Sequence, residues 1–250
     1  MSPKSREYSV IDPVQKDLDK SIVSNGKVLP EVRDKIIKAV EYISSKIKQD
    51  ISNIWVMGSS LTHQWKPDSD IDVTLFLTQK KTRAELKEIN KLMNKYFNGK
   101  LFVGNHPINF HVSPNRYYKF NADSIYDLLK DNWIKKPKAL NESDIQEIIS
   151  KCSSSEEFNE ILEEYKKLTI LLESYNGSNT EDVITQALKV SYLFNKIKDI
   201  RREDFNKKKD SDIPSANFRC SNIIFKLLES YGLDSLAVQI SSIFDSRLKN

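Results

Sequence analysis

Apolar residues recur at two different spacings along the first half of the chain, which indicates a mixture of helices and strands. The stretch LPEVRDKIIKAVEYISSKI has apolar residues every three or four positions, and Pro30 lies where a helix can begin. A short apolar run from Ile54 to Met57 then ends at Gly58 and predicts a buried strand. The stretch TRAELKEINKLMNKYF returns to helical spacing.

Two later stretches alternate strictly between apolar and polar residues, as half-buried strands do. In DIDVTLFL one face is apolar and the other carries Asp70, Asp72, Thr74 and Phe76. In PINFHV the outward positions are Asn109 and His111. His106 and Pro107 precede the alternating residues, which begin at Ile108, and we predict that they form a rigid turn into the strand. Together with the helices, these strands predict a compact α/β unit.

Beyond residue 122 the strand signal disappears, and five stretches have helical spacing. They are ADSIYDLLKDNWI, ESDIQEIISK, SSSEEFNEILEEYKKLTILLESY, TEDVITQALKVSYLFNKIKDI and NFRCSNIIFKLLESYG. Ser154 and Glu157 fit a capping box at the start of the third. The sequence therefore predicts an α/β (α+β) protein in three parts: an N-terminal arm over 1–28, an α/β domain over 29–121 and an all-helical domain over 122–250.

The composition is that of an ordinary globular protein with a mild excess of positive charge. Hydrophobic residues make up 39% and charged residues 30%, and the formal net charge of +4 permits a polyanionic partner without requiring one. No apolar segment suits export or a membrane span, so we expect a cytoplasmic protein without a membrane partner. Cys152 and Cys220 are far apart and form no CxxC pair, so we expect two packed thiols in a reducing compartment.

Three aspartates spaced two apart, Asp68, Asp70 and Asp72, lead from a turn into the strand DIDVTLFL. A calcium-binding EF-hand loop would need Gly and Glu where the chain has Val73 and Gln79, so that alternative fails. Turn chemistry explains PDSD up to Asp68, whereas Asp70 and Asp72 share one face of a strand. Two carboxylates this close repel each other unless a cation lies between them. The pair therefore predicts a divalent metal site of the kind used in phosphoryl chemistry.

The run MGSSLTHQWKPDSDIDV resembles the signature of the DNA polymerase β-like nucleotidyltransferase superfamily, in which Gly-Ser, a short helix and Asp-x-Asp on the next strand follow one another. The resemblance covers about residues 50–112. It implies a mixed sheet with flanking helices, and transfer of a nucleoside monophosphate from a nucleoside triphosphate such as ATP to an acceptor hydroxyl. By the same resemblance, Gly58 and Ser59 would bind the triphosphate, while Asp70 and Asp72 would hold Mg²⁺ or Mn²⁺.

The chain departs from this pattern at the third carboxylate, which in the superfamily usually lies on a later strand. No Asp or Glu occurs from Phe97 to Phe120, and the matching strand offers Asn109 and His111. Asn109 can give a metal an oxygen but is uncharged, and His111 can accept a proton from an attacking hydroxyl. We therefore predict Asp70, Asp72, Asn109 and His111 as the catalytic set.

A second hypothesis stays open, that of a catalytically inactive nucleotide- or RNA-binding module that has lost the third carboxylate. The sequence also leaves open the acceptor, which could be RNA, a protein or a small molecule. The preferred nucleotide and the oligomeric state are likewise undetermined by the sequence.

Overall fold

The computed structural model describes residues 14–113, 122–175, 177–206 and 219–230. By their contacts, residues 14–142 form one compact unit, and the described residues from 143 onward belong to a second. The three-part division expected from the sequence stays a prediction. No described helix is both long and apolar enough to cross a membrane.

In its described residues, the first unit has a mixed sheet and two helices. Its elements are β1 (Val23–Ser24), β2 (Lys27–Val28), α1 (Pro30–Ile47), β3 (Ile51–Met57), a 3₁₀ turn (Ser59–Leu61), β4 (Ile71–Leu77), α2 (Arg83–Tyr96), β5 (Phe102–Val103), β6 (His106–Ser113), β7 (Ile125–Asp127) and β8 (Asn132–Lys135). The predicted α/β fold class is confirmed, and α1 begins at Pro30 as expected.

Six strands form one sheet in the order β5-β6-β4-β3-β7-β8, beside a separate β1–β2 hairpin. β4 lies at its centre, antiparallel to β3 and parallel to β6. The face of β4 that carries Ile71, Val73 and Leu75 is fully buried in the main core. The opposite face carries Asp72 and Thr74 and ends in a smaller cluster around Trp55 and Phe76. The alternation in DIDVTLFL therefore places core residues on one face of β4 and the polar candidate site residues on the other.

The stretch ADSIYDLLKDNWI, predicted as a helix, instead forms the β7–β8 hairpin, so that prediction was wrong. β7 pairs with the edge of β3 and buries Tyr126 completely. Asp127 accepts hydrogen bonds from the backbone N–H groups of Leu129 and Lys130, which turns the chain, and Asp131 takes the left-handed φ of 52°. Covering an exposed sheet edge outweighs the weak local preference for helix.

The second unit is helical in its described residues. Its helices are α3 (Glu142–Ser153), α4 (Glu156–Glu173), α5 (Thr180–Asn206) and α6 (Cys220–Ser230). The residue that caps α4 is Ser155, whose hydroxyl accepts from the N–H of Phe158, and not Ser154 as predicted. A capping box would need Glu or Gln three residues after the N-cap, at position 158, whereas Glu157 lies only two residues after Ser155.

Cys152 and Cys220 form a disulfide, so the prediction of two packed thiols was wrong. Cys152 lies in α3 and Cys220 opens α6, and the two Cα atoms are 4.9 Å apart although 68 residues separate them in sequence. Only the packing of the helices brings the two residues together, which is why their spacing gave no sign of a bond.

Candidate active site

Asp70 and Asp72 lie at the N-terminal end of β4, where the neighbouring strand β3 reaches its C-terminal end. Asp70 directly precedes the strand, and Asp72 pairs in register with Met57, the last residue of β3. Both carboxylates are half-buried, whereas Asp68 is exposed in the preceding turn. This placement separates the two aspartates of the strand from the solvated turn residue, as the sequence predicts.

Gly58 lies directly against Asp72. Its φ of 95° belongs to the left-handed region, and a Cβ added there would stand 2.4 Å from Oδ2 of Asp72. Real atoms do not approach this closely, so any side chain at position 58 would displace the carboxylate or the backbone. Glycine is therefore required here for two reasons, its backbone conformation and the space that Asp72 occupies.

Ser59 begins the 3₁₀ turn that follows Gly58. The turn is closed by the N–H of Leu61 on the carbonyl of Gly58 and by the N–H of Thr62 on that of Ser59. The Ser59 hydroxyl is half-buried and lies 3.5 Å from the hydroxyl of Ser69, on the loop that leads into Asp70. Gly58 and Ser59 thus border the carboxylate pair on its β3 side.

Asn109 borders the pair on the opposite side, because β6 is the other neighbour of β4. It pairs in register with Asp72, and its Nδ2 donates to Oδ2 of Asp70 across 2.7 Å. The structure therefore brings the Asn109 amide into direct contact with the carboxylate of Asp70. The amide Oδ1 is the atom of this side chain that can still face a ligand.

His111 lies one pleat further along β6, in register with Thr74. Its ring lines a cavity of about 360 Å³ together with Asp72 and Asn109. Desolvation by the surrounding protein lowers the pKa of His111, so its imidazole is neutral near pH 7 and can accept a proton. Among the described residues, no hydrogen bond or ion pair joins His111 to the carboxylates. His111 is therefore a residue of the cavity wall and not a direct partner of the carboxylate pair.

The carboxylate pair is electrostatically strained. Burial, followed by repulsion from Asp70, raises the pKa of Asp72 to about 7. Near neutral pH the pair therefore holds a proton part of the time unless a cation compensates its charge. A bound cation would favour the ionised form of both groups.

The donor set fits a magnesium ion that is shared with a substrate, because magnesium prefers one or two carboxylates completed by phosphates and water. Within the described ranges, no group of three or more His, Cys, Asp or Glu side chains is arranged to hold a metal. With one amide, Asp70 and Asp72 would therefore form an open metal site that a substrate and water complete.

Several residues that support the site were missed by sequence reasoning. His106 was assigned to a turn but is buried within β6, and its Nδ1 lies 2.7 Å from the carbonyl oxygen of Ser69. Asn90 of α2 and Asn98 of the turn after α2 each bond to the N–H and C=O of one β6 residue, Val112 and Phe110 respectively. Asparagine on a helix surface or in a turn has no specific meaning in sequence, so neither contact could be predicted.

Comparison with known proteins agrees with this geometry. No curated protein sequence matches the chain significantly. The family model described as a nucleotidyltransferase domain matches residues 33–209, which is well over half of the chain. The match begins in α1, includes the Gly58 turn and both aspartates of β4, and continues into the helical unit. The chain therefore belongs to the nucleotidyltransferase domain family.

Proposed function

We propose that the protein is a Mg²⁺-dependent enzyme that transfers a nucleoside monophosphate from a nucleoside triphosphate to an acceptor hydroxyl and releases pyrophosphate. Membership of the family supports nucleotidyl transfer in general. The observation that carries the metal-dependent form is the Asp70–Asp72 pair, held beside a glycine whose missing side chain leaves room for Asp72.

Each residue of the site has a proposed role. Asp70 and Asp72 would hold Mg²⁺, or Mn²⁺, through their carboxylate oxygens, and the bound metal would supply positive charge for the triphosphate and the leaving group. Gly58 and Ser59 would bind the phosphates through backbone N–H groups and the serine hydroxyl. Because these residues lie on the β3 side of the pair, the nucleotide would enter from that side.

Asn109 and His111 would then face the acceptor, on the β6 side. Asn109 orients the carboxylate of Asp70 by donating to it. His111 is neutral and can accept the proton of the attacking hydroxyl, the task for which an uncharged amide is unsuited. The acceptor could be RNA, a protein side chain or a small molecule, and a cytoplasmic location stays a prediction.

A second candidate function is that of an inactive nucleotide- or RNA-binding module. The observation that favours it is the register of Asn109 with Asp72, since an amide stands at the position on β6 that faces the carboxylate pair. Such a module would bind a nucleoside triphosphate with Mg²⁺ but would release no pyrophosphate.

The test is to incubate the protein with each α-labelled nucleoside triphosphate, Mg²⁺ and separate acceptor fractions: total RNA, protein and small molecules. We expect one fraction to take up label with release of pyrophosphate. Asp70→Asn should lower the rate by about 10²–10³-fold, because charge stabilisation dominates such reactions. Asp68→Asn is the matched control, since this exposed aspartate lies two residues away and should leave the rate within about twofold. Calorimetric binding without turnover in any fraction would favour the inactive module.

A further inference from the structure

Successive residues of β6 direct their backbone N–H and C=O groups alternately away from β4 and toward it. Alternate N–H groups bond on the outer side of the strand, away from β4, and these belong to Ile108, Phe110 and Val112. The backbone groups of Pro107, Asn109 and His111 therefore face β4. This direction decides which β6 residue should bond to the segment that leads into Asp70.

A backbone donor is missing at one position of this ladder. Ile71 pairs with Ile108, so Asp70 stands opposite Pro107 one step earlier. In a parallel ladder the N–H at position 107 would donate to the carbonyl of Ser69, but proline has no N–H. The Nδ1 of His106 lies 2.7 Å from that same carbonyl oxygen. Since a carbonyl can only accept, Nδ1 carries the proton and the ring supplies the donor that Pro107 lacks.

Asp19 and Ser21 hold the other edge of the His106 ring. Nε2 lies 3.2 Å from Oδ2 of Asp19 and 3.1 Å from the hydroxyl of Ser21, which itself donates to Oδ1 of Asp19 across 2.6 Å. Asp19 is 3% exposed and His106 4%, so this contact is protected from water. It is not a hydrolytic triad, because the acid and the serine approach the same ring nitrogen.

We propose that His106 is a positioning residue of the active site, and that it acts by replacing the hydrogen bond that Pro107 cannot make to Ser69. Ser69 is the residue before Asp70, and His106 shares a strand with Asn109, so the bond fixes both partners of the Asp70–Asn109 contact. Without this hydrogen bond, the carbonyl of Ser69 loses its described hydrogen-bond partner, and the segment that leads into β4 becomes more mobile. The part of this inference that concerns metal binding rests on the proposed function.

The test uses four variants and measures Mn²⁺ affinity by electron paramagnetic resonance, together with thermal stability. His106→Leu removes the donor, and we expect it to weaken Mn²⁺ binding about tenfold. Adding Pro107→Ala to it restores a backbone N–H, so the double variant should recover to within about threefold. His106→Asn keeps a side-chain donor near Nδ1, so its Mn²⁺ affinity should stay close to that of the wild type, although it loses the Asp19 contact and some thermal stability. His63→Leu is the matched control, because His63 is also buried and bonds to a carbonyl, that of Gln15. It should lose stability without losing Mn²⁺ affinity.

Wild-type affinity in His106→Leu, or a double variant no better than the single one, would overturn the proposal. If His106→Leu does not fold, nitrogen NMR of the wild-type ring decides: a slowly exchanging Nδ1–H is expected, and an unprotonated Nδ1 would contradict the inference. If the wild type binds no Mn²⁺, the proposed function fails. A double variant that is more stable than His106→Leu, although still without the Asp19 contact, would then support the ladder role of His106, and a double variant no more stable than the single one would refute it.

Discussion

Asn109 donates a hydrogen bond to Asp70, with 2.7 Å between Nδ2 and Oδ2. This contact places an uncharged amide where it can compensate part of the charge of the carboxylate pair without a metal. The same amide cannot act as a base. Under the proposed function, Asn109 would orient Asp70, and the neutral His111, one pleat further along β6, would accept the proton.

Replacing Asn109 by aspartate tests this division directly. Asn109→Asp removes the donor and adds a third negative charge beside Asp70 and Asp72, so the variant should have a lower melting temperature than the wild type in EDTA near pH 8. Mg²⁺ should restore the melting temperature, because three carboxylates bind a divalent cation more strongly than two. Differential scanning calorimetry with and without Mg²⁺ measures both effects. Asn105→Asp, at an exposed turn, should respond to neither; an equal response there would refute the local explanation.

The raised pKa of Asp72 predicts an unusual dependence of stability on pH. The folded-state value of about 7 lies above the ordinary value near 4, so the folded protein keeps a proton that the unfolded chain loses between these two pH values. The free energy of unfolding should therefore fall as the pH rises from about 4 to 7 and then level off. Asp72→Asn stays neutral, so it should be more stable than the wild type near pH 8 and equally stable near pH 4, as measured by urea unfolding in EDTA. Asp68→Asn, which is exposed, should show no such difference between the two pH values.

The contact between Gly58 and Asp72 predicts that a single methyl group added at position 58 lowers both the free energy of unfolding and the affinity for a metal ion. Gly58→Ala combines a backbone conformation that is essentially restricted to glycine, with φ 95° and ψ −173°, with a Cβ 2.4 Å from the carboxylate. It should therefore cost more than the roughly 1–3 kcal/mol of the backbone strain alone and should also weaken metal binding. Gly99→Ala is the matched control, because Gly99 has a φ of 68° but no atom within 4 Å of an added Cβ. Urea unfolding and Mn²⁺ titration of both variants separate strain from contact. Equal losses would mean that the space beside Asp72 does not matter.

The fold could be predicted from the sequence where a pattern repeats within one element. The alternation in DIDVTLFL placed Asp70 and Asp72 on the correct face, and Pro30 marked the start of α1. The failures have a common cause, which is that the deciding interaction came from a distant part of the chain. The β7–β8 hairpin depends on the open edge of β3, and the role of His106 depends on the register of β6 with β4. A local pattern contains neither relationship.

The disulfide between Cys152 and Cys220 predicts a redox-dependent stability of the helical unit. A bond that closes a loop of 68 residues restricts the unfolded chain, and its loss should lower the free energy of unfolding by about 4 kcal/mol. The double variant Cys152→Ser, Cys220→Ser and the reduced wild type should therefore unfold at similar, lower urea concentrations than the oxidised protein. Mass spectrometry after alkylation counts the free thiols, and two free thiols in protein purified without reductant would contradict the bond.

Asn98, in the turn that follows α2, predicts a stability effect that a polar turn residue would not normally give. Asn98 accepts from the N–H of Phe110 at 2.7 Å and donates to its C=O at 3.2 Å, so its amide replaces a neighbouring strand at the edge of β6. Asn98→Ala leaves both backbone groups without this partner, and we expect a loss of about 2 kcal/mol in the free energy of unfolding. Asn94→Ala is the control in the last turn of α2, because Asn94 is exposed and its described hydrogen bond is one that it accepts from Asn98; its loss should stay below about 0.5 kcal/mol. Urea unfolding measures both, and hydrogen exchange at Phe110 should accelerate only in the Asn98 variant, because only there does the amide proton lose its acceptor.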